Sequence, residues 1–120
     1  MTQITSKYAY GRQIGNKTAK EIELLTNSFF SKLIVPSHWQ YSSYQDIYNT
    51  SDKAHLSSGH IFKTTKDTGT IYIKIVFIIA PERGAICEKT FDDIGSRPKY
   101  KTVISNKTIE EINEYIRLNY

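Results

Sequence analysis

The stretch that decides the fold runs from His60 to Gly84 and reads HIFKTTKDTGTIYIKIVFIIAPERG. It contains a turn signal, Lys66–Gly69, between a short run of strand-forming residues and a longer β-branched run at 70–80. In the longer run the odd positions are all large and apolar, whereas the even positions include Tyr72 and Lys74. This alternation predicts a hairpin whose second strand is covered on one face and partly covered on the other.

Two helices are predicted, one on each side of the hairpin in the sequence. The tetrapeptides TAKE at 18–21 and TIEE at 108–111 have the form of a capping box, in which a threonine and a glutamate satisfy free amides at the start of a helix. Apolar residues follow each tetrapeptide at helical spacing. The pattern predicts helices over about 19–34 and about 107–118.

The segment at 37–59 has no sustained period. Three of its tyrosines are spaced as on one face of a helix: Tyr41, Tyr44 and Tyr48. A short helix is therefore favoured within this segment, since a long structureless loop is unusual in a compact domain. After the hairpin, residues 85–88 and 99–104 are predicted as two more strands.

The order of these elements predicts an α+β fold. We expect an antiparallel sheet centred on residues 70–80, with the helices at about 19–34 and about 107–118 packed on one face. A length of 120 residues suits a single compact domain, 1–120. Within it, residues 1–17 are predicted to form a basic arm or an edge strand.

Composition and charge limit the class of protein. The formal net charge of +4 predicts a mild attraction to phosphate-bearing partners. No window approaches the roughly 20 apolar residues of a membrane span, and the first residues lack the apolar core of a secretion signal. We therefore expect a cytoplasmic protein without membrane insertion, and the single cysteine, Cys87, fits a reducing compartment. The bias toward Ile, Lys, Asn and Tyr is typical of AT-rich genomes, including those of phages and mobile elements.

Common catalytic and cofactor motifs are missing from the sequence. It contains no Walker loop, no G-x-G-x-x-G, no G-x-S-x-G, no H-E-x-x-H and no cysteine pair for zinc. His38, His55 and His60 are not spaced as metal ligands. We therefore expect no cofactor and no metal site, and a protein without catalytic activity is favoured.

Lys74 is the first candidate for ligand binding, because an unpaired charge in the middle of a central strand is costly to bury. Lys63 and Tyr72 would join it in one patch if the hairpin register brings the three together. Two other groups interleave cations with tyrosines, which suits phosphate contact and base stacking. The predicted ligand-binding residues are Lys7, Tyr8, Tyr10, Arg12, Lys74, Arg97, Lys99, Tyr100 and Lys101.

The favoured function is that of a small cytosolic binding protein, accessory or inhibitory, of phage or mobile-element type. Its basic, tyrosine-rich surface would engage a host protein, a nucleic acid or a nucleotide. One alternative is a metal-independent endoribonuclease, in which His55 or His60 transfers protons while Lys74 and Arg83 stabilise the charged phosphorane. A second alternative is a homodimer that holds a nucleotide between tyrosine and arginine side chains of its interface.

Overall fold

The computed structural model describes residues 19–48, 55–66, 69–79, 82–90 and 100–120. In chain order these residues form α1 (Ala19–Ser31), β1 (Gln40–Tyr48), β2 (His55–Lys66), β3 (Gly69–Ile78), β4 (Arg83–Thr90), β5 (Lys101–Lys107) and α2 (Ile109–Asn119). The predicted arm or edge strand at 1–17 and the threonine of the capping box at 18–21 lie outside the described residues.

The strands form an antiparallel sheet in the order β1-β2-β3-β4-β5, so that each described strand pairs with its neighbours in sequence. β2 and β3 make the predicted hairpin, with Lys66 opposite Gly69 at the end nearest the turn. β4 adds to the other side of β3, where Ile86 lies opposite Ile75. Together with the two described helices, this sheet confirms the predicted α+β fold.

The segment between α1 and the hairpin is a strand, so the prediction of a short helix there is wrong. Tyr41 in β1 lies opposite Phe62, and Tyr44 lies opposite His60. A register shift between Tyr41 and Ser43 inserts one extra residue, which keeps both tyrosines on the same face although they are three positions apart. A spacing of three is typical of a helix, but a bulged strand also produces it, and here pairing with β2 decides between the two.

Both helices pack on the same face of the sheet, which confirms their predicted placement. The alternate residues of β3 that are buried on this face are Ile71, Ile73, Ile75 and Phe77. They share one core cluster with Phe29 of α1 and Ile112 of α2. The rings of Phe29 and Phe77 pack with their centroids 4.9 Å apart. Removal of these apolar side chains from water is the main force that holds the helices on the sheet.

α2 begins with the predicted capping box. The amide of Glu111 donates to Thr108 Oγ1 over 3.2 Å, and the amide of Thr108 donates to Glu111 Oε1 over 2.9 Å. Because these bonds satisfy amides that lack a partner within the helix, they fix its start at Ile109. Within the described residues, neither helix is long and apolar enough to cross a membrane.

We expect Gly84→Ala to destabilise the fold, because Gly84 lies where both helices approach the sheet. A Cβ atom there would be 2.6 Å from Phe29 Cζ and 3.1 Å from Ile112 Cγ1. Overpacking of this kind lowers the free energy of unfolding by about 1–3 kcal/mol. Urea denaturation followed by circular dichroism measures the change. Ser105→Ala, at an exposed position of β5, is the control and should shift the free energy by less than about 0.5 kcal/mol. Equal values for Gly84→Ala and the wild type would contradict the close approach.

Candidate functional site

We define the distal face as the surface of the sheet that points away from the helices. Successive residues of a strand point to opposite sides, so the even positions of β3 lie on this face. The register places Tyr72 opposite Lys63 in β2 and opposite Lys89 in β4. Lys74 follows two positions along β3, between Ile61 and Cys87 of the neighbouring strands. Lys63, Tyr72 and Lys74 therefore lie on one face of the sheet. The hairpin register thus meets the condition on which the predicted patch depended.

Tyr100, immediately before β5, contacts two of the lysines on the distal face. The ammonium of Lys74 is 4.5 Å from the centroid of the Tyr100 ring, and that of Lys89 is 4.9 Å from the same centroid. Lys89 also lies 5.4 Å from the ring centroid of Tyr72. We define these four residues, Tyr72, Lys74, Lys89 and Tyr100, as the lysine–tyrosine cluster. Cation–π contacts of this geometry hold the ammonium groups close to the rings.

The side chain of Lys74 lies flat across β2. A Cβ atom on Gly59 would be 3.1 Å from both Cγ and Cδ of Lys74, so the glycine leaves room for the aliphatic stem. The ammonium group then donates to Gln45 Oε1 in β1 over 3.3 Å. Lys74 therefore buries its methylene groups against the sheet while its charge stays in a polar setting.

The acidic residues of the described strands are absent from the distal face. Asp46 lies opposite Ser58 and accepts a hydrogen bond from its hydroxyl over 2.7 Å, on the side that faces the helices. Glu88 lies opposite Ile73 on the same side and pairs with Lys66 over 3.5 Å. Among the strand residues that the structure describes, the distal face thus includes lysines and no acidic side chain.

The phenol of Tyr100 keeps its proton at neutral pH. Burial raises the pKa of Tyr100, and the neighbouring Tyr72 and Cys87 raise it further. A protonated hydroxyl can donate a hydrogen bond, so Tyr100 offers a donor as well as an aromatic face. The Sγ atom of Cys87 is 3.8 Å from Thr102 Oγ1, which ties β4 to β5 beside this ring.

The structure brings together two of the predicted ligand-binding residues, Lys74 and Tyr100. Lys101 is exposed and lies opposite Glu88, across the β4–β5 pairing. The other predicted residues lie outside the described parts of the chain: Lys7, Tyr8, Tyr10, Arg12, Arg97 and Lys99. Sequence reasoning missed Lys89, because the strand predicted at 85–88 ended two residues before the observed end of β4 at Thr90. Continuing its alternation from Cys87 would have placed Lys89 on the face of Lys74.

Two residues of the ribonuclease alternative, His60 and Lys74, lie on opposite sides of the sheet. His60 lies on the face covered by the helices, where its ring packs edge-on against Phe30 with centroids 4.3 Å apart. Its Nδ1 atom is 3.0 Å from the hydroxyl of Tyr41. Lys74 points to the opposite side of the sheet, and Arg83 is the first residue of β4. His55 is the first residue of β2, where it pairs with β1.

Metal ligands and similarity to known proteins give no further indication of function. Over the ranges that the structure describes, no three His, Cys, Asp or Glu side chains are grouped so that they could hold a metal ion. No protein-family model matches the chain, and no curated protein or solved structure matches it either. The function therefore has to be inferred from the geometry and charge of the distal face.

His60 should make the stability of the protein depend on pH. Burial lowers the pKa of His60 below its usual 6.5, and the charge of Asp46 offsets only part of this effect. Because the unfolded chain then binds the proton more readily, the free energy of unfolding should fall as the pH drops below about 6.5. Urea denaturation between about pH 7.5 and pH 5.5 measures this slope, which His60→Gln should reduce. His38→Gln, at an exposed position, controls for the loss of an imidazole elsewhere. An unchanged slope in His60→Gln would contradict the assignment.

Proposed function

We propose that the distal face binds a single strand of RNA or DNA without cleaving it. The lysine–tyrosine cluster is the observation that carries this proposal, because it combines ammonium groups with aromatic rings on one surface of the sheet. Lysines neutralise backbone phosphates, and aromatic rings stack with bases of any sequence. Both kinds of contact are needed to hold an unpaired strand.

A single strand fits this surface better than a duplex. The bases of a duplex are stacked on one another and cannot reach the rings of Tyr72 and Tyr100, whereas the bases of a single strand can be splayed out onto them. Each of these tyrosines is half-buried, so its ring is held in place by the sheet before a base arrives. A platform that is already ordered loses little conformational entropy on binding.

The charges of the cluster favour an anionic ligand. Lys74 and Lys89 both contact the ring of Tyr100, so two positive charges lie beside one aromatic ring. Within the described residues neither of them has an ion pair with a carboxylate. A phosphate bound beside the ring would offset these two charges. A base that stacks on Tyr100 would displace one ammonium group from the ring, and that group could then move to a phosphate.

The ribonuclease alternative that uses His60 is disfavoured, because His60 and Lys74 lie on opposite faces of the sheet, and the version that uses His55 stays a prediction from the sequence. Proton transfer and charge stabilisation at one phosphate need groups on the same side of it. The accessory or inhibitory role, the cytoplasmic location and the nucleotide-binding homodimer stay predictions from the sequence.

Binding should be sensitive to salt and to the lysines of the cluster. Fluorescence anisotropy with a labelled oligonucleotide of about 16 nucleotides, as RNA and as DNA, measures the affinity at several salt concentrations. For single strands the logarithmic salt slope changes by about 0.7 for each phosphate contact, so Lys74→Gln and Lys89→Gln should each reduce it by about that amount. Lys20→Gln, at an exposed position of α1, is the matched control and should leave the slope unchanged. Absence of binding at low salt, or equal slopes in all variants, would refute the proposal.

The contribution of stacking on Tyr100 to the binding affinity can be measured separately from the contribution of the lysine charges. Tyr100→Ala should weaken binding of the oligonucleotide by about tenfold or more, because base–aromatic stacking contributes about 1–3 kcal/mol per base. Tyr100→Phe keeps the ring and should retain most of the affinity. The same samples, run on a denaturing gel, should contain the intact oligonucleotide. Equal losses in the Ala and Phe variants would mean that the ring does not stack with a base, and cleavage would favour the ribonuclease alternative.

A further inference from the structure

A cavity of about 450 Å³ lies on the other side of the molecule from the lysine–tyrosine cluster. It is formed where the residues before β1, the last residues of β2 and the end of α2 meet. Trp39, Thr64, Lys66 and Tyr120 are the lining residues that determine its chemistry. Its volume is in the range of pockets that bind small molecules.

Among the residues that the structure describes, two polar atoms of the cavity lining are buried without a hydrogen-bond partner. They are Nε1 of Trp39 and Oγ1 of Thr64. The two residues are only 7% and 6% exposed. Buried polar groups are nearly always paired, because an unpaired one loses its bonds to water without replacement. Two such atoms beside one cavity indicate a ligand that accepts hydrogen bonds, since the indole nitrogen can only donate.

The rings of Trp39 and Tyr120 form part of the cavity wall. The ring of Tyr120 packs edge-on against that of Trp39, with centroids 5.3 Å apart and an interplanar angle of 82°. Phe62, which is not one of the lining residues, packs against the indole with its ring centroid 5.5 Å from that of Trp39. Flat aromatic walls favour a planar ligand, which can stack on one ring and contact the edge of another.

The positive charge of Lys66 at the cavity is already paired with a carboxylate. Lys66 pairs with Glu88 over 3.5 Å and lies 4.7 Å from the centroid of the Tyr120 ring. The hydroxyl of Tyr120 donates to the same carboxylate. An anionic ligand would have to compete with Glu88 for the ammonium group. A neutral ligand meets no such competition.

We infer that this cavity binds a small, neutral heteroaromatic ring that carries a carbonyl oxygen, the chemistry of uracil or guanine. The carbonyl accepts the hydrogen bonds of Trp39 Nε1 and Thr64 Oγ1, and the ring lies against the aromatic walls. Both polar atoms are almost fully covered, so a wall side chain must turn to admit the ligand. Tyr120, half-buried and in contact with the indole, is the residue in position to do so. The inference does not depend on nucleic-acid binding by the distal face.

The indole of Trp39 is a specific reporter, because it is the single tryptophan of the chain. In ¹⁵N-labelled protein it gives one indole cross-peak. Titration with uracil should move this peak until it saturates, with the indole proton shifting downfield as it forms a hydrogen bond. Benzene, which has an aromatic ring without a hydrogen-bond acceptor, and acetate, which has an oxyanion without the ring, should not move the indole proton downfield. No saturable shift with uracil, or an equal downfield shift with benzene or acetate, would overturn the inference.

Thr64→Val tests the second polar atom. Valine has nearly the same shape without the hydroxyl, and its introduction removes an unpaired buried group, so the variant should fold at least as well as the wild type. We expect it to weaken the binding of uracil by about tenfold, the loss typical of one hydrogen bond. Thr102→Val, exposed on β5, is the matched control and should bind as the wild type does. Unchanged affinity in Thr64→Val would refute the assignment. The same affinity for uracil in Lys74→Gln would show that the cavity is independent of the distal face.

Discussion

The alternation of side chains along β3 is the constraint on which the rest of the structure depends. The buried residues of β3 pack against both helices. Their burial is strong enough to fix the register of the strand, because a slip by one position would turn all of these apolar side chains away from the helices. The same alternation leaves Tyr72 and Lys74 on the distal face. The core and the proposed binding surface are therefore two consequences of one pattern, and neither can change without the other.

Each face of the sheet has a position where a glycine allows close packing, Gly84 on the side of the helices and Gly59 on the distal face. At Gly84 the missing side chain admits Phe29 and Ile112, so that α1 and α2 can both approach β4. At Gly59 it admits the stem of Lys74, which crosses β2 to reach Gln45. Gly84 therefore makes room for packing in the core, and Gly59 makes room for the side chain that positions the charge of Lys74. The distal face thus has an ordered lysine, with its methylene groups packed, rather than a freely moving one.

Charge is separated between the two sides of the described sheet. Asp46 and Glu88 lie on the side of the helices, where Ser58 and Lys66 pair with them, and the distal face keeps lysines beside tyrosine rings. Both carboxylates are half-buried and have partners on the covered side, whereas the described strand residues of the distal face include lysines and no acidic side chain.

The sequence by itself determined the hairpin, both helices and the start of α2, because these depend on alternation, helical spacing and a capping box, all of which are local. It also singled out Lys74 and Tyr100. Only the tertiary structure decided that β1 is a strand, since a bulge gives its tyrosines the spacing of a helix and pairing with β2 is not local. Only the tertiary structure brought Lys89 to Tyr100 and separated His60 from Lys74, because strand register and the choice of face arise from contacts between residues far apart in the chain.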